Sequence, residues 1–434
     1  MVLAARGAMQ TIRRMPGGMV TVVEPLVAAR SVAIDVVVRV GAAHEDAATS
    51  GIGHFIEHLL FKGSARWPTP RELALAIEGL GGECDAYTSY EMTVYHVRIA
   101  AAHLGHAVEV LGDLLLAPRF NAADVARERR VIVEELRETA DMPPELVHTL
   151  LNHAMWGEQP LGRDVAGSEA SLAQLDLPQI VAHWRAHYVQ ANTIVSIAGA
   201  VDPVEAHAIV ERVFGAMPTG APMPRSPVMP ALPGPRVRRQ RHAGQQAHVA
   251  LGFVGLAAAD PDLWAWRLVD AALGAGAASR LFQRIREELG LAYTIGSTFD
   301  AYDDAGTVVI YGSVAPESLQ QCIHEVLDDL RRLRRLGLGA DELRAARHQV
   351  QGALALALES PWAVASWNAQ QLARGIALRP LEHILAEYDA VTDDAIVRVA
   401  RRVLRDDAMH LAIVGPAGAG RTLGRAVRLG VADA

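Results

Sequence analysis

The sequence is poor in cysteine: Cys84 and Cys322 are the only two in 434 residues. No disulfide framework can be built from so few, and the scarcity points to a reducing compartment. A basic surplus is also missing, since 41 Lys and Arg face 49 Asp and Glu, a formal net charge of −8. Binding to a phosphate backbone needs clustered positive charge, so nucleic acid is excluded as a partner class. Apolar runs are short. Ser31–Val40 and Gln351–Glu359 fall well below the roughly 20 residues that span a bilayer, so no membrane segment is expected. The opening stretch MVLAARGAMQTIRRMPGG lacks the apolar core of a secretory signal. Together these absences predict a cytoplasmic globular protein. What is present agrees with that, because 51% hydrophobic and 21% charged residues suit a packed chain, not a disordered one.

Prolines recur every two to four residues between Gly215 and Pro235 (GAMPTGAPMPRSPVMPALPGP). Such a stretch cannot be a helix or a central strand, and it reads as a semi-rigid linker. It divides the chain into an N-terminal domain 1–214, a linker 215–240 and a C-terminal domain 241–434. The halves repeat one plan. Ser31–Val40, a β-branched run, precedes a helix from about Ile52, a second helix over Glu72–Leu80, and strands Glu83–Thr88 and Thr93–Ala100. In the second half Ala247–Gly255, helices near Leu263–Leu273 and Ser279–Glu288, and strands Ala292–Ser297 and Gly306–Val314 follow the same order. Each half then has two long helices (Ala122–Ala140 and Pro144–Met155; Pro316–Leu336 and Ala340–Glu359) and a late strand (Thr193–Ala198; Ala408–Val414). The expected class is α+β, with two homologous domains, each a mainly antiparallel sheet flanked by helices.

The segment His54-Phe55-Ile56-Glu57-His58 is H-x-x-E-H on a predicted helix. Positions i, i+3 and i+4 share one face, so two imidazoles and a carboxylate point into the same space. Zn²⁺ accepts neutral imidazole nitrogens and keeps a position open for water in catalytic sites. A carboxylate beside that water can take its proton as it attacks a carbonyl. Two helix histidines satisfied by solvent or backbone would give the same pentapeptide, so the motif alone is not decisive. A third ligand is needed. The helix carrying Glu128, Glu134, Glu135 and Glu138 offers carboxylates; Glu128 and Glu135, seven apart, share a face, and Glu134 points about 100° away. Pattern alone does not choose among them.

HFIEH followed by FKGS, then GGECDAYTSYEMTVY, then ERRVIVEE ending about 77 positions after His58, resembles the pitrilysin-type (M16) zinc metallopeptidases. The two-domain bacterial members and the mitochondrial processing peptidase β subunit look most similar. GRDVAGSEASL (Gly162–Leu172), HYVQANTIVSIAGAV (His187–Val201) and SRLFQRIREELGLAYTIGS (Ser279–Ser297) extend the resemblance over nearly the whole chain. It implies that His54, His58 and Glu135 bind one Zn²⁺ per chain, with Glu134 a minor rival. It implies Glu57 as the general base toward a water activated at the metal, with Glu128 supporting the ligands. Arg286 and Tyr293 match an Arg/Tyr pair that approaches substrate and oxyanion. Asp85, Ala86 and Thr88 would lie on an edge strand that pairs with an extended peptide; many relatives carry Asn in place of Asp85. The second half has no H-x-x-E-H where the helix reads Trp264-Ala-Trp266-Arg267-Leu268, so it is expected to be auxiliary.

The function so implied is hydrolysis of short or unfolded peptides by a zinc metalloendopeptidase. The resemblance also implies that a complete chamber takes four such domains, so a homodimer, or a heterodimer with a related chain, is expected. The alternatives are a processing peptidase for one precursor and a non-catalytic docking or structural subunit. The run Arg331-Arg332-Leu-Arg334-Arg335 reads as a basic helix end complementing the macrodipole.

Overall fold

The computed structural model describes residues 10–221, 227–229, 231–234, 236–421, 423 and 427–430. Pro222, Pro224, Pro230 and Pro235 of the expected linker lie outside the described residues. The strands are β1 (Thr11–Arg14), β2 (Val20–Pro25), β3 (Ser31–Val38), β4 (Glu83–Thr88), β5 (Thr93–Ala100), β6 (Thr193–Gly199), β7 (Arg236–Arg241), β8 (Ala247–Gly255), β9 (Ala292–Ala301), β10 (Gly306–Val314) and β11 (Met409–Gly415). Helices of the first half are α1 (Ile52–Leu60), α2 (Pro70–Glu78), α3 (Leu104–Leu116), α4 (Ala122–Asp141), α5 (Pro143–Trp156), α6 (Glu169–Gln174), α7 (Leu177–His187) and α8 (Pro203–Phe214). Those of the second half are α9 (Leu263–Gly274), α10 (Leu319–Leu336), α11 (Ala340–Ala357), α12 (Pro361–Ala373), α13 (Leu381–Asp389) and α14 (Asp393–Val403). A π-helical turn, Phe282–Glu288, occupies the place of the short helix expected there. The class is α+β, as expected.

Two compact units form, each from three stretches of chain. The first comprises Met1–Leu136, Asp164–Ser226 and Ala355–Leu378; the second comprises Arg137–Arg163, Pro227–Leu354 and Arg379–Ala434. The first holds a sheet in the order β1-β2-β6-β3-β5-β4, the second a sheet in the order β7-β11-β8-β10-β9. In each, one pair is parallel (β2 with β6, β7 with β11) within otherwise antiparallel pairing. Arg236–Gln240, placed in the linker by its prolines' reach, is instead most of β7. Its run of arginines carries no apolar alternation, because β7 lies at the sheet edge with Arg238–Arg241 exposed.

The first unit's core lies between one face of its sheet and its helices. Val32, Ile34, Val36 and Val38 alternate inward from β3 and meet Phe55, Ile56 and Leu59 of α1 and Val108, Leu111 and Leu115 of α3, the two-residue period of a strand meeting the 3.6-residue period of a helix. The opposite sheet face carries Val37, Val94 and Ile194, covered by Ala369 and Ala373 of α12. In the second unit α5 packs on β11 and β8. Each sheet is thus covered on one side by a helix from the other half of the sequence.

Candidate metal centre

α1 begins under tight local control. The buried Glu45 carboxylate accepts from the backbone N–H of Gly51 (2.7 Å) and of Gly53 (2.9 Å), satisfying donors that a helix start leaves open and placing negative charge at the dipole's positive end. Gly51 has φ +90°, and a Cβ there would sit 2.6 Å from the Ala166 carbonyl oxygen, so a side chain is excluded on two grounds. The helix buries Phe55, Ile56, Leu59 and Leu60. His54, Glu57 and His58 therefore emerge together on its half-buried face.

α4 brings the third group. Glu135 Oε2 lies 3.5 Å from His58 Nε2 and 4.0 Å from His54 Nε2. One ligand atom from each of His54, His58 and Glu135 falls within 4.8 Å of the others, the one such group of His, Cys, Asp and Glu among the described residues. Donors about 2.0–2.1 Å from a shared tetrahedral ion stand roughly 3.3 Å apart, so this His₂Glu set fits zinc with small adjustments. Glu134, one position away, is exposed. Burial, with the neighbouring His58, holds the His54 imidazole down to about 4, so it remains neutral, the ligand form, across ordinary pH. Glu128 is buried and its Oε2 lies 3.4 Å from His58 Nδ1.

Glu57 stands beside this group. Burial pushes its carboxyl up, opposed by a hydrogen bond from Thr88 and by His58, the direction that suits a general base. The Thr88 hydroxyl donates to Glu57 Oε2 at 2.5 Å. Sequence reasoning placed Thr88 on the peptide-pairing strand and missed this contact, which no spacing signals because α1 and β4 meet only in the fold. Thr88 does lie on β4, at the end of the sheet order, where among the described residues β4 pairs with β5 alone. Ala86 shares its face of the strand, and Asp85 lies on the alternate one.

Arg286 and Tyr293 lie in the second unit, and there they meet each other. The Arg286 guanidinium carbon stands 4.8 Å from the Tyr293 ring centroid and 4.6 Å from that of Phe282. This stack leaves Tyr293 74% exposed. On α9, where the first unit's motif would recur, Trp264 is flanked by Arg267 and Arg379, each 5.4 Å from its ring, and no ligand set occurs there among the described residues.

Residues 20–169 match the family model described as Insulinase (Peptidase family M16), and residues 174–350 match the one described as Peptidase M16 inactive domain. An uncharacterized zinc protease of Streptomyces coelicolor is 34% identical over 94% of this chain and 90% of its own length. The chain belongs to the M16 peptidase family. An uncharacterized zinc protease of Bacillus subtilis is 31% identical over 90% of this chain and 94% of its own. The M16 fold is matched by a protease from Helicobacter pylori at a TM-score of 0.88 and 21% identity, covering 94% of this chain and 99% of that one. A peptidase M16 inactive domain from Pseudomonas fluorescens gives 0.87 at 21% identity, covering 94% and 99%. The two M16 models divide the chain as its chemistry does, with the motif in the first and its replacement by Trp264 and Arg267 in the second. Among the described residues no helix is long and apolar enough to cross a membrane.

Proposed function

We propose that this chain is a zinc-dependent metalloendopeptidase acting on short or unfolded peptides. The convergence of His54, His58 and Glu135, with Glu57 beside them, carries this reading. The residues that would hold one zinc per chain are those three, with Glu128 behind His58. Zinc, when bound, supplies a Lewis acid that makes water a nucleophile near neutral pH and polarises the scissile carbonyl.

The protein's own groups do the rest. The open edge of β4 offers backbone N–H and C=O groups, so an extended peptide can add as a further strand through Asp85, Ala86 and Thr88, largely regardless of its side chains. Glu57, its carboxyl raised by burial, accepts a proton from the attacking water and returns it to the leaving amine. Thr88 fixes which carboxylate oxygen stays free for that proton. Arg286 and Tyr293 present a guanidinium and a phenol that suit the substrate backbone and the oxyanion. A pair of chains, two copies or one with a related partner, is the working unit. A non-catalytic subunit needs none of this constellation, and its completeness favours the enzyme.

The test is cleavage of a mixed pool of unstructured peptides by the purified chain. Glu57→Gln is expected to keep zinc and to lose turnover by about 10³-fold or more, and a chelator to abolish it. Turnover that survives Glu57→Gln removes Glu57 from the role of base.

A further inference from the structure

The chain holds one lysine and forty arginines. Arginine has taken every other such cationic position, and lysine stands only at Lys62, two residues past the end of α1. The Lys62 backbone N–H donates to the Leu59 carbonyl at 3.1 Å, so the residue rides on the last turn of the helix that bears His54, Glu57 and His58. Its Nζ lies 2.9 Å from Glu128 Oε2, with the Glu128 side chain 3% exposed. That same oxygen is the one 3.4 Å from His58 Nδ1.

An ammonium makes this contact with a shape that a guanidinium does not share. Arginine forks elsewhere can claim both oxygens of a carboxylate, as Arg280 does with Glu342 and Arg402 with Asp260, although Arg379 meets Glu387 through one oxygen. A planar guanidinium with five donors spans a carboxylate, whereas an ammonium is a compact point charge on a slim stem. At Glu128 the single-point contact leaves room for the imidazole on the shared oxygen. A carboxylate buried this deeply also needs a cation beside it. A ligating imidazole is oriented by what its other ring nitrogen bonds to, and here that partner is Glu128. His54 has no such arrangement, since its buried Nδ1 meets no partner among the described residues.

We propose that Lys62 is a positioning residue of the metal centre, its ammonium holding Glu128 Oε2 where it turns His58 Nε2 toward Glu135 and His54. This rests on the reading of His58 as a zinc ligand. The experiment measures zinc affinity of the full-length chain by competition with a chromogenic chelator, alongside thermal unfolding of the metal-free protein. Lys62→Met and Glu128→Gln are each expected to weaken zinc binding about tenfold or more, the scale of an orienting group behind a ligand. The double variant should be no weaker than Glu128→Gln alone. Lys62→Arg keeps the charge, and so the metal-free melting temperature, yet is expected to lose affinity as Lys62→Met does. Lys62→Arg with wild-type affinity, or independent losses that add in the double variant, overturns the proposal. So does a lower melting temperature with unchanged affinity, which marks a purely structural residue. If the wild-type chain itself takes no zinc, the reading of the metal centre fails, and this proposal with it.

Discussion

The two units share a five-strand order, to which the first adds β1, and differ in what the first helix after the central hairpin strand carries. In the first unit β3 leads to α1, whose half-buried face holds His54, Glu57 and His58. In the second β8 leads to α9, whose corresponding face holds Trp264 and Arg267 in a stack with Arg379. The same scaffold therefore supports either a cluster of imidazole and carboxylate groups that could hold a metal ion or a cation–aromatic cluster that adds packing. A second difference lies beneath the borrowed helices. α12 meets the first sheet through an apolar patch that also carries polar contacts, with the Asn368 amide donating to Glu24 at 2.8 Å and Ser366 bonding to the buried Asp35. α5 meets the second sheet across a gap at Gly252, filled by Leu151 and Met155. Fold and function are separable here: the sheet order is common, while the residues on one helix face decide the chemistry.

The sharpest way to break this comparison is to cross it. His54→Ala is expected to lower zinc affinity by at least about 100-fold with little change in melting temperature. Trp264→Ala should do the reverse, lowering stability by about 1–3 kcal/mol and leaving zinc affinity within about twofold. Chelator competition and thermal unfolding on both variants decide it; a loss of zinc binding in Trp264→Ala would erase the distinction between the units.

The next effect concerns the polar side of α12. Burial holds the Asp35 carboxyl up to about 7, and its Oδ1 has no hydrogen-bond partner among the described residues. The folded chain then keeps a proton that the unfolded chain releases above about pH 4. Stability from this group is present at low pH, declines as pH rises from about 4 to about 7, and stays lower above that. Asp35→Asn should gain up to about 4 kcal/mol at pH 8 and almost nothing at pH 4, read from denaturant midpoints at the two pH values. Equal gains at both would show that Asp35 is not buried as a neutral acid.

The smallest effect tests the apolar side of α5. A Cβ on Gly252 would lie 2.7 Å from Met155 Sδ and 2.9 Å from both Leu151 methyl carbons. Gly252→Ala should cost about 1–2 kcal/mol through overpacking, at any pH. A pH-dependent cost would mean that a titratable group reaches the α5 seat as Asp35 reaches that of α12.

Much of this was legible in local pattern. HFIEH on a helix gave the shared face of His54, Glu57 and His58, and β-branched runs gave the central strands. The basic run 331–335 also reads correctly as a helix end, with Arg334 donating to the carbonyls of Arg401 and Leu404 at the end of α14. Contacts between elements were not legible. Periodicity put Glu128 and Glu135 on one face, but only the packing of α4 against α1 brings Glu135 to the histidines while leaving Glu134 exposed. Asp35 sits inside an apolar strand run, where no neighbour announces the helix that will bury it. Nothing in Pro361–Ala373 says which sheet it will cover, since an apolar helix face fits either.

That last point changes what counts as half of this protein. A coding sequence divided at the proline-rich stretch would yield an N-terminal piece whose sheet lacks α12 and a C-terminal piece whose sheet lacks α5. Each fragment would expose one apolar sheet face and carry one stranded helix with no sheet of its own. Neither is then expected to fold as an autonomous module; the exchange arranges the two halves as a reciprocally swapped pair whose members are encoded in tandem.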